Sequence, residues 1–253
     1  RQFIARTQRA LRELLERRLE ALELCVLMVD GVVFAEHTVV TALGIDTKGH
    51  KHILGIWEGA TENAAVVKAL LSDLVERGLG VSKPMLVVID GSKALRAAVR
   101  DVFGEHGVVQ RCRVHKLRNV LEHLPKDAHQ WVATQMKRAW QESSATKART
   151  KLLGLARTLE VEHPGAAASL REGLEETLTI TRLGLPPTLA LTLSSTNCIE
   201  SSFDRVRKCS RNVTRWRNGR MVMRWAASGL LEAEKSFHRI KGYRALPLLL
   251  TAL

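Results

Sequence analysis

Two continuous apolar runs, each closed by Asp-Gly, dominate the first half of the chain. The first, Leu24 to Val29, ends at Asp30, and the second, Pro84 to Ile89, ends at Asp90. Their short length and their β-branched residues predict strands that are buried on both faces. The repeated pattern therefore predicts two core strands, each with an aspartate at its end.

Shorter patterns around these runs predict the rest of a mixed α/β unit. Two strand-like stretches joined by the polar turn from Asp46 to Gly49 predict a hairpin. Apolar positions at helical spacing predict two helices. The expected order is a strand at 24–29, a hairpin at 37–45 and 51–57, a helix at 61–79, a strand at 84–89, a helix at 93–103 and a strand at 108–114.

Helical periodicity replaces the strand pattern elsewhere. Residues 3–22 predict an amphipathic helix, residues 117–193 an all-helical block, and residues 221–238 a further amphipathic helix. Ser194 to Asn197 is a good N-cap cluster for a helix at 198–208. The expected organisation is a connector helix at 1–23, the first part of an α/β core at 24–117, a helical insertion at 118–194, and the last part of the core with basic C-terminal helices at 195–253.

Charge narrows the class of partner. The 253 residues include 39 Lys and Arg against 26 Asp and Glu, which gives a formal net charge of +13. Such an excess favours a polyanion, and nucleic acid is the first candidate. A membrane surface would require a long apolar span, a lipidation motif or an interfacial helix. No apolar run approaches a spanning length, so we expect no membrane partner.

The cysteines indicate the redox compartment of the protein, and the first residue indicates whether the chain is complete. Four cysteines at unrelated spacings predict no disulfide framework and a reducing, cytoplasmic compartment. The chain opens at Arg1 rather than at a methionine and runs straight into a helix-like segment. We therefore expect a fragment of a longer protein.

Asp30 and Asp90 are the first candidates for chemistry. If their strands are neighbours, the two carboxylates meet at one edge of the sheet, and paired carboxylates suit a divalent cation. The alternative is that each Asp-Gly only marks a turn. An apolar run ending in aspartate also occurs in nucleoside triphosphatases, but the chain has no Gly-rich phosphate loop to match it.

Glu200 is the candidate third carboxylate, in the first turn of the helix that follows the helical block. If Asn197 is the N-cap, Glu200 would instead complete a capping box, an ordinary stabilising device. Spacing does not separate these two roles. Asp204, one turn further along the same face, is a rival ligand.

Cys112 and His115 form a Cys-x-x-His pair. A zinc site needs two further ligands, and the sequence contains no convincing second pair. A structural role for His115 is favoured, with a position near the acidic site as the alternative.

Basic residues are concentrated in two stretches. In the longer one Trp216 is interleaved, and one-sign clusters of this density repel one another without a polyanion, so phosphate contacts are favoured over a solvated face. The predicted DNA-contacting residues are Arg205, Arg207, Lys208, Arg211, Arg215, Arg217 and Arg220, with a second strip at Arg111, Arg113, Lys116 and Arg118.

These segments together resemble the bacterial Mutator-type insertion-sequence transposases, and the resemblance runs through nearly the whole chain. It is carried by short, specific motifs rather than by composition. The matching stretches are Leu27 to Gly31, Leu54 to Gly59 with Glu62 and Asn63, Val88 to Leu95, Gln110 to Lys116, Thr196 to Glu200, and Arg215 to Arg217 with Met223 to Trp225.

The resemblance implies a ribonuclease H-like core, with a mixed sheet flanked by helices and an all-helical insertion before the last catalytic helix. It also implies that Asp30, Asp90 and Glu200 form an acidic triad that binds divalent metal, and it makes Asp204 secondary. Cys112 and His115 match a family signature. The family's N-terminal DNA-binding region is missing from the chain, and the implied location is the bacterial cytoplasm, in association with the nucleoid.

The leading hypothesis is therefore a DNA transposase in which the triad holds two magnesium ions, with manganese as a substitute. Cleavage at the terminal inverted repeats would free a 3′-hydroxyl, which would then attack target DNA without a covalent enzyme intermediate. A homodimer or larger assembly is expected, because two transposon ends must be handled together.

Two alternatives accompany this hypothesis. A domesticated or truncated transposase would bind DNA without cutting it, but all three acids are present. A ribonuclease H-like nuclease acting on RNA in hybrids is disfavoured by the helical insertion and by the family motifs.

Overall fold

A five-stranded mixed sheet forms the centre of the molecule. The computed structural model describes residues 2–59 and 63–253, so Arg1 and Glu62 of the sequence motifs lie outside the described residues. The strands are β1 Leu24–Phe34, β2 His37–Asp46, β3 Lys51–Glu58, β4 Met85–Ile89 and β5 Gly107–Arg111, in the spatial order β3-β2-β1-β4-β5. The first three strands are antiparallel, and β1, β4 and β5 are parallel to one another. This mixed sheet is consistent with the ribonuclease H-like core that the sequence predicts.

Strand β1 continues past Asp30, where the sequence predicted its end. Gly31 is paired with Val40 of β2, and the hairpin turn lies at Ala35 and Glu36, both with positive φ. The interpretation of Asp30-Gly31 as a turn is therefore wrong. The parallel pairing of β1 with β4 ends at Val29 and Ile89. Asp30 and Asp90 thus directly follow the last paired residues of two adjacent strands, as predicted.

Helices surround the sheet, and the segment between β5 and the C-terminus contains helices joined by turns and loops, without strands. Their bounds are α1 Gln2–Glu16, α2 Ala64–Glu76, α3 Lys93–Phe103, α4 Arg113–Leu121, α5 Lys126–Trp140, α6 Ala145–Leu159, α7 Pro164–Arg171, α8 Thr179–Arg182, α9 Pro187–Leu193, α10 Asn197–Ser210, α11 Gly219–Glu234 and α12 Leu246–Ala252. Helix α3 has the predicted bounds. Helix α1 ends six residues before the predicted limit, and β5 ends at Arg111 rather than Val114 because α4 begins two residues later.

The sheet separates two apolar clusters. Alternate residues of a strand point to opposite faces, so Val26 and Met28 pack with α10 and α11 on one face, while Leu27 and Val29 pack with α2 and α3 on the other. A third cluster, from Val120 to Leu178, belongs to the helical block. The block therefore has a core of its own.

Helix α1 packs directly on the sheet domain. Leu11 and Leu14 are buried in the cluster that contains α11. At the end of this helix, Arg17 makes a bidentate ion pair with Glu234 of α11, with both N–O distances 2.8 Å. The Arg77 guanidinium donates to the carbonyl oxygens of Leu14 and Arg17. These bonds fix α1 and the segment after it to the domain.

None of the helices in 2–59 and 63–253 combines the length and the apolar character needed to cross a bilayer.

Candidate metal centre

Asp30 occupies a buried position on the central strand. Its side chain is 2% exposed. One carboxylate oxygen accepts the backbone N–H of Gly31 at 2.8 Å, and the other accepts the hydroxyl of Thr196 at 2.6 Å. The carboxylate is thus held in one orientation from its own strand and from the segment before α10.

Thr196 also changes the interpretation of the start of α10. It is the N-cap residue by position, and its side chain makes no capping hydrogen bond because its hydroxyl donates to Asp30. Asn197 is already the first helical residue, so Glu200 stands one position too late for the capping box considered from the sequence. That alternative is wrong, and the Glu200 carboxylate instead lies near His115 and Arg118.

His115 of α4 lies between Asp30 and Glu200. Its Nε2 is 3.9 Å from Asp30 Oδ2 and 3.9 Å from Glu200 Oε1. One ligand atom from each of these side chains lies within 4.8 Å of the other two. Strand β1, helix α4 and helix α10, which are far apart in sequence, therefore bring two carboxylates and an imidazole to one point.

Asp90 borders this group without belonging to it. Its Oδ1 accepts the backbone N–H of Ser92 at 2.8 Å. Asp90 lines a cavity of about 490 Å³ together with His115, while Glu200 and His115 line a neighbouring one of about 650 Å³. Of the predicted triad, the structure thus gathers Asp30 and Glu200 around His115, while Asp90 lies close by and shares a cavity lining with His115.

Burial and neighbouring charges perturb the pKa values of the site. Burial raises the pKa of Asp30 to about 6, and the charge of Asp90 acts in the same direction, against His115 and Thr196. The contact with Cys112 and the charges of Asp30 and Asp90 raise the pKa of His115 to about 9, in spite of its burial. Burial would raise the pKa of Cys112, but the adjacent His115 lowers it overall.

The donor set fits a divalent cation. Two carboxylates and one imidazole suit transition metals such as manganese, and the carboxylate oxygens also suit magnesium. Burial makes the Asp30 carboxylate costly to ionise, and a bound cation would offset that cost. Among the residues that the structure describes, this is the one group of three close metal-ligating side chains.

The two predicted DNA-contacting stretches differ in exposure. All seven basic residues predicted between Arg205 and Arg220 are exposed. In the second stretch Arg118 is exposed, with its guanidinium 3.7 Å from Glu200 Oε1. Lys116 is 0% exposed and Arg111 5%, and Arg113 is half-buried. The prediction that Arg111 and Lys116 contact DNA is therefore corrected, because a buried cation cannot reach a phosphate.

These buried cations instead join the sheet domain to the helical block. The ammonium of Lys116 donates to the carbonyl oxygens of Ser169 and Glu172. Arg113 donates to the Thr177 carbonyl at 3.0 Å and to the Thr181 hydroxyl at 2.8 Å. Sequence reasoning missed this role, and it also missed Thr196. A motif containing Thr196 was visible, but nothing local showed that its partner would be Asp30.

A mixed sheet with a buried aspartate on its central strand, and with carboxylate and imidazole donors beside it, defines an α/β protein of ribonuclease H-like type with a candidate metal centre. Comparison with known proteins is more specific. The family model for transposases of the Mutator family matches residues 2–239. The chain belongs to this family.

Several curated relatives are similar to the chain at moderate identity. It is 30% identical over 169 residues to the transposase for insertion sequence element IST2 of Acidithiobacillus ferrooxidans, which covers 67% of this chain and 56% of the relative. It is 30% identical over 197 residues to the transposase for insertion sequence element IS6120 of Mycolicibacterium smegmatis, which covers 76% of this chain and 59% of the relative. For ISRM5 of Rhizobium meliloti the identity is 30% over 214 residues, with 84% and 52% covered. The chain thus matches between half and three fifths of the length of these relatives.

Proposed function

We propose that the chain carries the metal-dependent active site of a DNA transposase, which cleaves DNA at transposon ends and joins them to target DNA. The observation that carries this proposal is the convergence of Asp30, His115 and Glu200 within 4.8 Å. Family membership supports DNA as the substrate.

In this proposal Asp30 and Glu200 hold divalent metal, and Asp90 contributes a further carboxylate from the adjacent strand. Thr196 and the Gly31 amide hold the Asp30 carboxylate in place. His115 is either a nitrogen ligand or a proton-carrying neighbour of the two acids. When bound, divalent cations would activate a water or a 3′-hydroxyl and offset the charge on the departing oxygen.

Exposed arginines supply the second part of the proposed function. The side chains of Arg205 and Arg207 stand on α10, the helix that carries Glu200, and further exposed basic residues follow it up to Arg220. We expect them to contact phosphates of DNA whose cleaved bond lies at the metal centre. Assembly as a dimer or larger species would bring two such sites to two transposon ends.

The test is magnesium-dependent nicking of supercoiled plasmid and joining of DNA ends by purified chain. We expect Asp30→Asn, Asp90→Asn and Glu200→Gln each to reduce both reactions to background. The matched control is Asp101→Asn, because Asp101 is an exposed acid on α3 paired with Lys68. Asp204→Asn tests the rival ligand and should retain activity at saturating DNA.

The result separates enzyme from binding protein. Wild-type activity in one of the three acid variants would remove that residue from the site. A wild-type chain that binds DNA but shows neither reaction with magnesium or manganese would favour the non-catalytic alternative.

A further inference from the structure

Arg111 stands at the junction of the sheet, the Asp90 turn and the helical block. It is the last residue of β5 and the register partner of Ile89, the residue before Asp90. Its side chain is 5% exposed. Arg111 and Asp90 line the same cavity. The side chain therefore runs alongside the turn that carries the Asp90 carboxylate.

The Arg111 side chain is enclosed between two glycines. Gly91 has φ of +102° and Gly173 has φ of +60°. A β-carbon at Gly91 would lie 2.6 Å from Arg111 Cδ, and one at Gly173 would overlap the guanidinium. Both positions therefore need glycine for two reasons, since the backbone angle disfavours other residues and the arginine fills the space.

On the side of the helical block, Glu172 holds the guanidinium. Arg111 Nη1 donates to the Glu172 carbonyl oxygen at 2.7 Å and also bonds its carboxylate. The same carbonyl accepts from Lys116. The Glu172-Gly173 segment, which follows α7, is thus bonded to the end of β5 through a buried cation.

We propose that Arg111 is a positioning residue that clamps the Asp90-Gly91 turn to the helical block, so that the block sets the place of the Asp90 carboxylate at the metal centre. The role in metal binding rests on the proposed function. The mechanical part does not, because it concerns the order of the turn in the metal-free chain.

The first measurement is amide hydrogen exchange of the metal-free chain. In Arg111→Met we expect the amides of the turn, above all that of Ser92, which is bonded to Asp90 Oδ1, to exchange about tenfold faster. Arg96→Met is the matched control, because the Arg96–Glu176 ion pair also joins α3 to the block but is exposed. It should leave this exchange unchanged. Equal exchange in the wild type and in Arg111→Met would overturn the clamp.

The second measurement is the binding of manganese alone, followed by electron paramagnetic resonance. We expect Arg111→Met to weaken manganese binding by about 10-fold to 100-fold, as for other groups that orient metal ligands. Arg111→Lys should restore part of the affinity, because it keeps the charge opposite Glu172. An unchanged affinity in Arg111→Met would overturn the link to the metal.

Glu172→Gln provides the same test without a core truncation, because the Glu172 side chain is 42% exposed. It should speed the exchange of the turn amides and weaken manganese binding, each by a smaller factor than Arg111→Met. No change in either measurement would count against the clamp. If the wild-type chain binds no manganese while Arg111→Met still loosens the turn, the clamp stands and the proposed function fails.

Discussion

The two basic stretches of the chain look alike in sequence and have opposite environments. Between Arg205 and Arg220 the basic side chains are exposed on and after α10, the helix that carries Glu200. Between Arg111 and Lys116 they are buried or half-buried and bonded to carbonyl oxygens of the helical block. The first stretch is available to a polyanion, whereas the second has the protein itself as its partner.

This difference shows what a cluster of positive charge does and does not predict. A basic stretch must find acceptors, and it finds them either outside the molecule or inside it. The carbonyl oxygens of Ser169, Glu172 and Thr177, which accept from the inner stretch, lie more than fifty residues away in sequence. Only the fold decides between the two outcomes, and four experiments test how far the contrast extends.

The largest expected effect is on stability. Arg113→Ala should lower the free energy of unfolding by about 3 kcal/mol, because it removes the hydrogen bonds from the guanidinium to the Thr177 carbonyl and the Thr181 hydroxyl and the packing against the Trp140 ring. Arg217→Ala, from the exposed stretch, should stay within about 0.5 kcal/mol. Urea denaturation measures both. Similar losses in the two variants would mean that the buried and the exposed arginine contribute equally to stability.

Lys116 should make the unfolding free energy depend on pH, whereas an exposed lysine should not. Burial, and next the charge of Arg111, lowers its pKa to about 7 from an ordinary value of 10.5. Between these two values the unfolded chain binds more protons than the folded one, so the unfolding free energy rises with pH, with a slope of up to about 1.4 kcal/mol per pH unit. Lys116→Met should flatten that part of the stability profile.

The matched variant for this profile is Lys208→Met. Lys208 is exposed on α10, and its removal should leave the slope between pH 7 and 10.5 as it is in the wild type. The measurement is urea denaturation at several pH values. A Lys116→Met profile that is parallel to the wild type would mean that the buried ammonium keeps its charge throughout.

Much of the fold could be predicted from local pattern. The apolar runs gave β1 and β4 because burial on both faces leaves a continuous signal, and α3 was correct to the residue. The extent of β1 was not predictable in this way. Its hairpin turn at Ala35 and Glu36 lacks the usual glycine, whereas Asp30-Gly31 looks like a turn but is paired within the sheet.

The candidate site was predictable in part, for a related reason. Asp30 and Glu200 stood in recognisable motifs, and the parallel pairing of β1 and β4 follows from the strand pattern. The place of His115 between Asp30 and Glu200 depends on how α4 packs after β5, and the hydrogen bond from Thr196 to Asp30 spans 166 residues. Such contacts are set by packing, which leaves no periodic mark in the sequence.

Neutralising two exposed arginines should weaken DNA binding, with a smaller change in free energy than the stability changes above. Arg215→Gln combined with Arg217→Gln should lower the slope of log affinity against log salt by about two units, because each phosphate contact releases about one counterion. Lys68→Gln with Arg100→Gln is the control, since α2 and α3 cover the opposite face of the sheet. Fluorescence anisotropy with duplex DNA at several salt concentrations gives the slopes. An unchanged slope in the first variant would place these arginines away from phosphates.

The smallest expected effect concerns the ion pair between Arg207 of the exposed stretch and Asp204, which directly precedes that stretch. Arg207 Nη1 lies 3.2 Å from Asp204 Oδ1, with both side chains at least half exposed. A solvated pair of this kind contributes about 0.5 kcal/mol or less, so Arg207→Gln should scarcely change unfolding by urea. The same variant should still lower the salt slope by about one unit if Arg207 contacts a phosphate. A stability loss above about 1 kcal/mol would mean that part of the exposed stretch, like the buried one, serves the fold.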